Sequence, residues 1–264
     1  MKLIYVSLCI KNLLIIVTIF FLSSCDRISK KPEWLKGNLH THTLWSDGDA
    51  PPETVVNWYR QNNYQFLALS DHNILSEGEK WIDVVDSADT EIWPPPFTKE
   101  KLEKLKTEFG DEWPALRQKG DTLQMRLKTL GELKDRFEVP GEFILIQAEE
   151  ITDIVENYPV HVNATNLESL IQPQGGNSTY DVLQRNVDAV LRQREQTNRP
   201  MIAHANHPNF YWGILPEDLI KLKGDPFFEV YNGHPDVKNW GDDIHPDTDR
   251  IWDIVLSNRL HKSR

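Results

Sequence analysis

In NLHTHTLWSDG, residues 38–48, two histidines flank one threonine, and an aspartate follows five residues after the second histidine. His40 and His42 are two residues apart, so on a strand their side chains project from the same face. Asp47 follows in the adjoining loop. These groups could bind a metal ion, although an isolated His-Thr-His is more often a set of polar residues at the surface. A metal site therefore needs further ligands from other parts of the chain.

Strands and helices are predicted to alternate around this segment. Short apolar runs predict six strands, at 38–42, 65–70, 143–148, 160–164, 201–205 and 227–232. Amphipathic stretches predict helices at 51–63, 180–196, 216–223 and 251–260. Nearly continuous apolar runs are typical of strands buried on both faces of a parallel sheet. The pattern predicts an α/β fold built on such a sheet.

The segment 76–140 is much longer than one connecting helix needs to be. It contains a helical stretch that Gly110 ends and a second one at 121–137, which we interpret as the connecting helix. The remainder, residues 76–119, is predicted to be a helical insertion. It is either a lid over a site or a peripheral decoration.

Most polar candidates follow the carboxyl ends of these strands. They are His40, His42, Asp47, Asp71, His72, Glu149, Glu150, His161, His204 and His207. In a (β/α) barrel, such positions converge on one mouth, where active sites lie. The mixture of imidazole and carboxylate groups suits Zn, Mn or Fe.

The segments HTHTLWSDG, LSDHN and AEEIT, together with a histidine eleven residues after Glu150, resemble the PHP family. These are polymerase-and-histidinol-phosphatase-like, metal-dependent phosphoesterases. The resemblance covers residues 37–235 and implies a distorted (β/α)7-type barrel within a domain at 37–264. Glu150 matches the family position better than Glu149, because it directly precedes an Ile-Thr pair.

The resemblance implies up to three divalent metal ions and a set of ligands. The implied ligands are His40, His42, Asp47, His72, Glu150, His161 and His207. His204 fits the strand end better, but His207 has the following proline that the family pattern requires, so His207 is the favoured ligand. Asp71 is expected to contact a metal-binding side chain, and not the metal itself, and so to fix the orientation of that side chain. Asp71 and His204 are the candidate catalytic side chains.

The chain departs from the family at its last ligand pair. The family ends its metal cluster with Asp-x-His after a further strand, but neither follows the helix predicted at 251–260. His234 and His245 do not fit the position. We expect the chain to be a truncated version of a longer protein, with the last barrel strand missing. A degenerate, inactive relative is the alternative.

The N-terminus is typical of an export signal at residues 1–24. Lys2 and Lys11 accompany an apolar run that is shorter than a membrane-spanning helix normally requires. LSSC, residues 22–25, resembles a bacterial lipobox. This resemblance implies cleavage and a lipid on Cys25, which would anchor the exported protein to a membrane of the cell envelope. An uncleaved signal anchor and an ordinary signal peptide are the alternatives.

Residues 25–36 are interpreted as a polar tether. The chain's two cysteines are Cys9 and Cys25, so the mature domain would have no disulfide. The formal net charge is −11, or −13 without the two lysines of residues 1–24. Such a surface disfavours a nucleic-acid polymer. It permits a small phosphorylated substrate, because bound metal ions would set the local potential.

No nucleophile motif such as GxSxG or a P-loop is present. This favours a metal-bridging hydroxide that attacks a phosphoester. The same cluster could instead hydrolyse a carbonyl ester, amide or carbamate. A third hypothesis is a non-catalytic surface lipoprotein that binds metal or glycan, with Trp45, Trp93 or Trp212 stacking on a ring. Most tryptophans, however, are expected to pack in the core or the insertion.

Overall fold

The computed structural model describes residues 34–87, 93–224 and 227–262. Lys36–Arg264 form one compact unit. The predicted signal at 1–24, Cys25 and nearly all of the tether lie outside the described residues. Among the helices within these ranges, none is both long enough and apolar enough to span a membrane.

The described residues form a mixed α/β structure. The strands are β1 (Gly37–Asn38), β2 (Phe66–Leu69), β3 (Trp81–Val85), β4 (Phe97–Thr98), β5 (Ala115–Lys119), β6 (Thr122–Arg126), β7 (Ile144–Val155), β8 (Tyr158–Thr165), β9 (Ile202–Ala205) and β10 (Phe227–Phe228). The helices are α1 (Pro52–Gln61), α2 (Lys99–Phe109), α3 (Leu130–Phe137), α4 (Thr179–Thr197), α5 (Pro216–Lys221) and α6 (Thr248–Lys262).

The main sheet has the order β1-β2-β7-β8-β9-β10 and curls into a half-barrel. All six predicted strands contribute to it. The four predicted helices are also present, as α1, α4, α5 and α6. The longest of these, α4, buries Val182, Leu183, Val187 and Val190 in the same apolar core as β8 and β9. This packing stabilises the sheet that carries the candidate site residues.

The prediction of a parallel sheet is wrong for β8. β7 pairs with β8 in the antiparallel sense, from Ala148 opposite Thr165 to Val155 opposite Tyr158. Only two residues join the strands, and both Glu156 and Asn157 have positive φ, at 53° and 88°. Such a two-residue turn suits the twist of a hairpin and leaves no room for a crossover helix. The sheet is therefore mixed, with β8 running against both of its neighbours.

The predicted helical insertion is also corrected. The described residues between Trp81 and Arg126, which extend past the predicted boundary at 119, form a four-stranded sheet, ordered β4-β3-β6-β5, beside helix α2. The helix predicted at 121–137 forms only at Leu130–Phe137, because the preceding residues form β6. Leu123 and Met125 alternate with polar residues and face the insertion's apolar core, as the two-residue period of a strand requires. Gly120, at φ 59°, begins the turn between β5 and β6.

The loop after β1 is anchored to this insertion. Leu44 and Trp45 belong to the same apolar cluster as Phe97, Leu102 and Met125. Trp45 is 2% exposed, and its indole N–H donates to the Lys128 carbonyl at 2.9 Å. The insertion therefore holds the loop that carries the first predicted ligands.

Candidate metal centre

Polar side chains from the strand ends converge on one cavity of about 470 Å³. The seven predicted metal ligands all line it: His40, His42, Asp47, His72, Glu150, His161 and His207. They come from the ends of β1, β2 and β9 and from the hairpin of β7 and β8. A cavity of this size fits a small molecule.

Glu150 is the centre of the cluster and is fully buried. Its Oε1 lies 3.0 Å from His161 Nδ1 and 3.1 Å from His207 Nε2. Its Oε2 lies 2.8 Å from His42 Nε2, 3.0 Å from His72 Nδ1 and 3.3 Å from His40 Nε2. Each carboxylate oxygen therefore faces its own set of histidines.

The surroundings of the Glu150 Oε2 atom suit a cation. This atom is buried and surrounded by imidazole nitrogens, yet it has no hydrogen bond. Two groups of side chains are close enough to bind a metal ion, and Glu150 belongs to both. One group adds His40 and His207, and the other adds His42 and His72. Imidazole nitrogens and carboxylate oxygens are the ligands that zinc and similar metals accept.

The charges of the cluster are strongly coupled. Burial raises the pKa of Glu150, but the surrounding histidines outweigh it and hold that pKa well below its usual value. Burial lowers the pKa of His72, but Asp47 and Glu150 raise it to about 10. The pKa of His40 is raised by Glu150 and Glu229 in the same way, against burial. A metal ion would have to displace these protons, so acid would weaken its binding.

Asp47 joins two of the predicted ligands. Its Oδ1 lies 2.9 Å from His42 Nδ1, and its Oδ2 lies 3.4 Å from His72 Nε2. Burial raises its pKa, but the two histidines outweigh burial and lower it. Asp47 is therefore ionised and fixes the orientation of both rings.

Asp71 lies beneath the loop and does not reach the cavity wall. It is 1% exposed, and its carboxylate accepts four hydrogen bonds. The donors are the backbone N–H and hydroxyl groups of Thr43 and Ser46, at 2.7–3.0 Å. Asp71 thus holds the turn that presents His42 and Asp47.

Glu229 was not predicted from the sequence, although it lines the cavity. Its Oε1 lies 2.6 Å from His40 Nδ1, and its Oε2 accepts the His207 backbone N–H at 2.8 Å. A carboxylate behind an imidazole fixes the ring's tautomer and leaves the other nitrogen for a metal. The sequence carries no signal for it, because the strand predicted at 227–232 runs through Glu229, whereas β10 ends at Phe228.

The structure separates His204 from His207. His207 points at Glu150, and its backbone has a positive φ of 21°. His204 lies beside Glu229, with its Nε2 4.0 Å from Oε1, and it does not line the cavity. Burial lowers the pKa of His204 to about 4, so its ring is neutral at pH 7.

Glu149 points away from Glu150, to the opposite face of β7. Its Oε1 accepts the Ile171 backbone N–H at 2.7 Å, and its buried Oε2 has no hydrogen-bond partner. Burial raises the pKa of Glu149 to about 8. This carboxyl group is therefore largely protonated in the folded protein at pH 7.

Glu149 should make the protein less stable in alkali. Below pH 4.5 the group is neutral in both states, and above about pH 8 it is charged in both, so stability falls as pH rises between these values. We expect Glu149→Gln to raise the free energy of unfolding at pH 9 by roughly 2–4 kcal/mol, since one unit of pKa corresponds to about 1.4 kcal/mol. Urea titrations of both proteins from pH 5 to pH 9 measure this difference. Parallel pH profiles would contradict it.

The remaining aromatic and histidine candidates are dispersed. Trp45 is buried, whereas Trp212 stacks on His245 with ring centroids 4.0 Å apart. Trp93 lines the cavity and is the single contribution of the insertion to that lining among the described residues. His234 also lines the cavity, outside the Glu150 cluster. A lid role of the insertion would therefore depend on Trp93.

The comparisons with known proteins are negative. No model of a known protein family matches the chain, and no curated protein matches it. The family resemblance thus stays a prediction, and the function has to be argued from the cavity.

Proposed function

We propose that the chain is a metal-dependent hydrolase of phosphoesters. The observation that carries the proposal is the position of Glu150, whose two buried carboxylate oxygens face separate histidines in one cavity. A carboxylate so placed can bridge two cations. The similarity of HTHTLWSDG, LSDHN and AEEIT to the PHP family supports the same reaction.

Two metal ions would share Glu150. One would be held by His40 and His207 with Glu150, and the other by His42 and His72 with Glu150, while His161 lies 3.0 Å from the Glu150 Oε1. Asp47 and His72 offer part of a third site, because they lie side by side at the cavity wall. The proposed ions are Zn, Mn or Fe, which all accept imidazole and carboxylate ligands.

Divalent cations supply two effects to such a reaction: they lower the pKa of water, and they neutralise phosphoryl oxygens. The chain's own residues orient the ligands and restrict the space. Asp47 and Glu229 hold the rings of His42 and His40 through their Nδ1 atoms. Phe210 packs 4.9 Å from the His207 ring, measured between centroids, and forms part of the wall.

The proposed location is the cell envelope, through a lipid on Cys25. Its support is the LSSC segment after a short apolar run. A small phosphorylated molecule is the proposed substrate, and the charge of −11 argues against a nucleic-acid polymer.

The test is hydrolysis by the purified chain after metal removal and after reloading with Zn, Mn or Fe. We expect phosphate release from an aryl phosphate to disappear with the chelator and to return with metal. An aryl acetate and an aryl carbamate serve as the parallel carbonyl substrates. Turnover of these alone would favour the carbonyl reaction. Stoichiometric metal binding without turnover of any substrate would favour a binding protein.

A further inference from the structure

The outer half of the cavity differs from its floor. The floor contains the buried side chains of Glu150, His161 and His207, whereas the more exposed outer wall contains aromatic rings, from Tyr59, Trp93, Phe210 and Tyr231. Tyr59 is fixed, because its ring packs edge-on against Tyr64 and its hydroxyl accepts a hydrogen bond from Asn38. A second recognition surface therefore lies above the metal centre.

Two of these rings are free to contact a ligand. The Trp93 and Tyr231 side chains are 66% and 67% exposed although both line the cavity. Within the described parts of the chain, neither stacks on another aromatic ring, whereas Phe210 packs against His207 and Tyr211. Exposed aromatic faces at a cavity mouth suit a flat or cyclic group of a ligand.

The charges of the side chains that line the cavity restrict which group of a ligand can bind beside the aromatic rings. Four carboxylates line the cavity, from Asp47, Asp49, Glu150 and Glu229. Among the described residues of the lining, none is lysine or arginine. Bound metal ions at the floor would neutralise one phosphoryl group. A second anionic group in the outer half would meet only acidic or neutral side chains.

His234 supplies a hydrogen-bond donor at the same wall. Its Nδ1 accepts the backbone N–H of Asp236 at 3.2 Å. With Nδ1 as the acceptor, Nε2 carries the N–H of the ring and can donate to a hydroxyl or ether oxygen. A sugar ring offers such oxygens, and a plain aryl ring does not.

We propose that Trp93 and Tyr231 bind the uncharged ring of a phosphate monoester, while His234 donates to an oxygen of that ring. The substrate class is a sugar monophosphate without a second anionic group, whereas an aryl monophosphate would contact the two aromatic rings alone, without the hydrogen bond from His234. This inference rests on the proposed function, because the metal centre would hold the phosphoryl end.

Binding of phosphonates, which are not hydrolysed, tests the ring site without turnover. Calorimetry on the zinc-loaded chain compares methylphosphonate, phenylphosphonate and 4-carboxyphenylphosphonate. We expect phenylphosphonate to bind at least threefold more tightly than methylphosphonate, and the carboxylated compound to bind roughly threefold or more weakly than phenylphosphonate. Equal affinities for the methyl and phenyl compounds, or tighter binding of the carboxylated one, would overturn the proposal.

Substitutions of Trp93 and Tyr231 test where the ring of the ligand binds. Trp93→Ala and Tyr231→Ala should each weaken phenylphosphonate roughly two- to tenfold and leave methylphosphonate unchanged. Trp240→Ala is the matched control, because Trp240 is 82% exposed and does not line the cavity. An equal loss in the control, or no loss in either cavity variant, would reject the assignment of the two rings.

His234→Ala distinguishes the two ring chemistries. It should weaken a C-glycosidic phosphonate of glucose severalfold but leave phenylphosphonate unchanged, because only the sugar offers an oxygen acceptor. An unchanged affinity for the sugar compound would reject the role of His234. Failure of every phosphonate to bind, methylphosphonate included, would show that the phosphoryl site is wrong, and the ring proposal would fall with it.

Discussion

Glu150→Gln should abolish metal binding. The substitution keeps the shape of the side chain but removes the charge that faces five histidines, and it places an amide N–H₂ where an acceptor is needed. Even groups that only support metal ligands contribute about 10–100-fold in affinity, so loss of a shared ligand should cost at least about 100-fold. Elemental analysis and zinc titration of the purified variant measure the effect, with circular dichroism as the check on folding.

Glu149→Gln is the matched control for this experiment. It makes the same substitution one residue earlier, at a buried carboxyl on the other face of β7. We expect this variant to keep the full metal content at pH 7. Full metal content in a folded Glu150→Gln protein would reject the bridging role, and loss in both variants would indicate a general effect on β7.

Asp71→Ala should unfold the loop that bears the first ligands. It removes the acceptor for the backbone N–H groups of buried Thr43 and half-buried Ser46 and for both hydroxyls. An unsatisfied buried polar group costs about 1–3 kcal/mol, so we expect the free energy of unfolding to fall by about 4–6 kcal/mol. Urea denaturation measures the loss, and zinc titration should show weaker binding as His42 and Asp47 lose their positions.

Asp71→Asn separates hydrogen bonding from charge at the same position. Its amide oxygen can still accept the two backbone N–H groups, and the Thr43 hydroxyl can rotate to accept from the amide. We expect a loss of about 1–2 kcal/mol, well below that of the alanine variant. Equal losses would mean that the negative charge, and not the set of acceptors, holds the turn.

The strand ends were predictable because their signals are local. Apolar runs end at His72, Glu150 and His207 or shortly before them, so each cluster could be assigned to an edge of the sheet from the sequence alone. Glu229 carries no such signal. It follows a strand of two residues, and its partner His40 lies 189 positions away, so only the fold shows the contact.

Two features of the structure differ from the prediction because pairing between strands decides them. The apolar runs of β7 and β8 predict parallel strands. The turn at Glu156–Asn157 is too short for the crossover that parallel strands need, so the two strands pair antiparallel. The stretch at β6 alternates in strand fashion, but its helix-favouring residues and the real helix α3 after it concealed the boundary. Pairing partners decide both cases, and they are not adjacent in sequence.

The length of the hairpin of β7 and β8 determines where two residues of the site lie. Glu150 lies opposite Asn163, and Thr152 lies opposite His161, so the eleven-residue interval between Glu150 and His161 brings both onto the same face. Adding or deleting one residue within either strand would turn everything beyond it to the other face. Many substitutions along this interval should therefore be harmless, whereas a change in its length would not be. Over evolution, the amino acids of the hairpin should vary, whereas the number of its residues should stay constant.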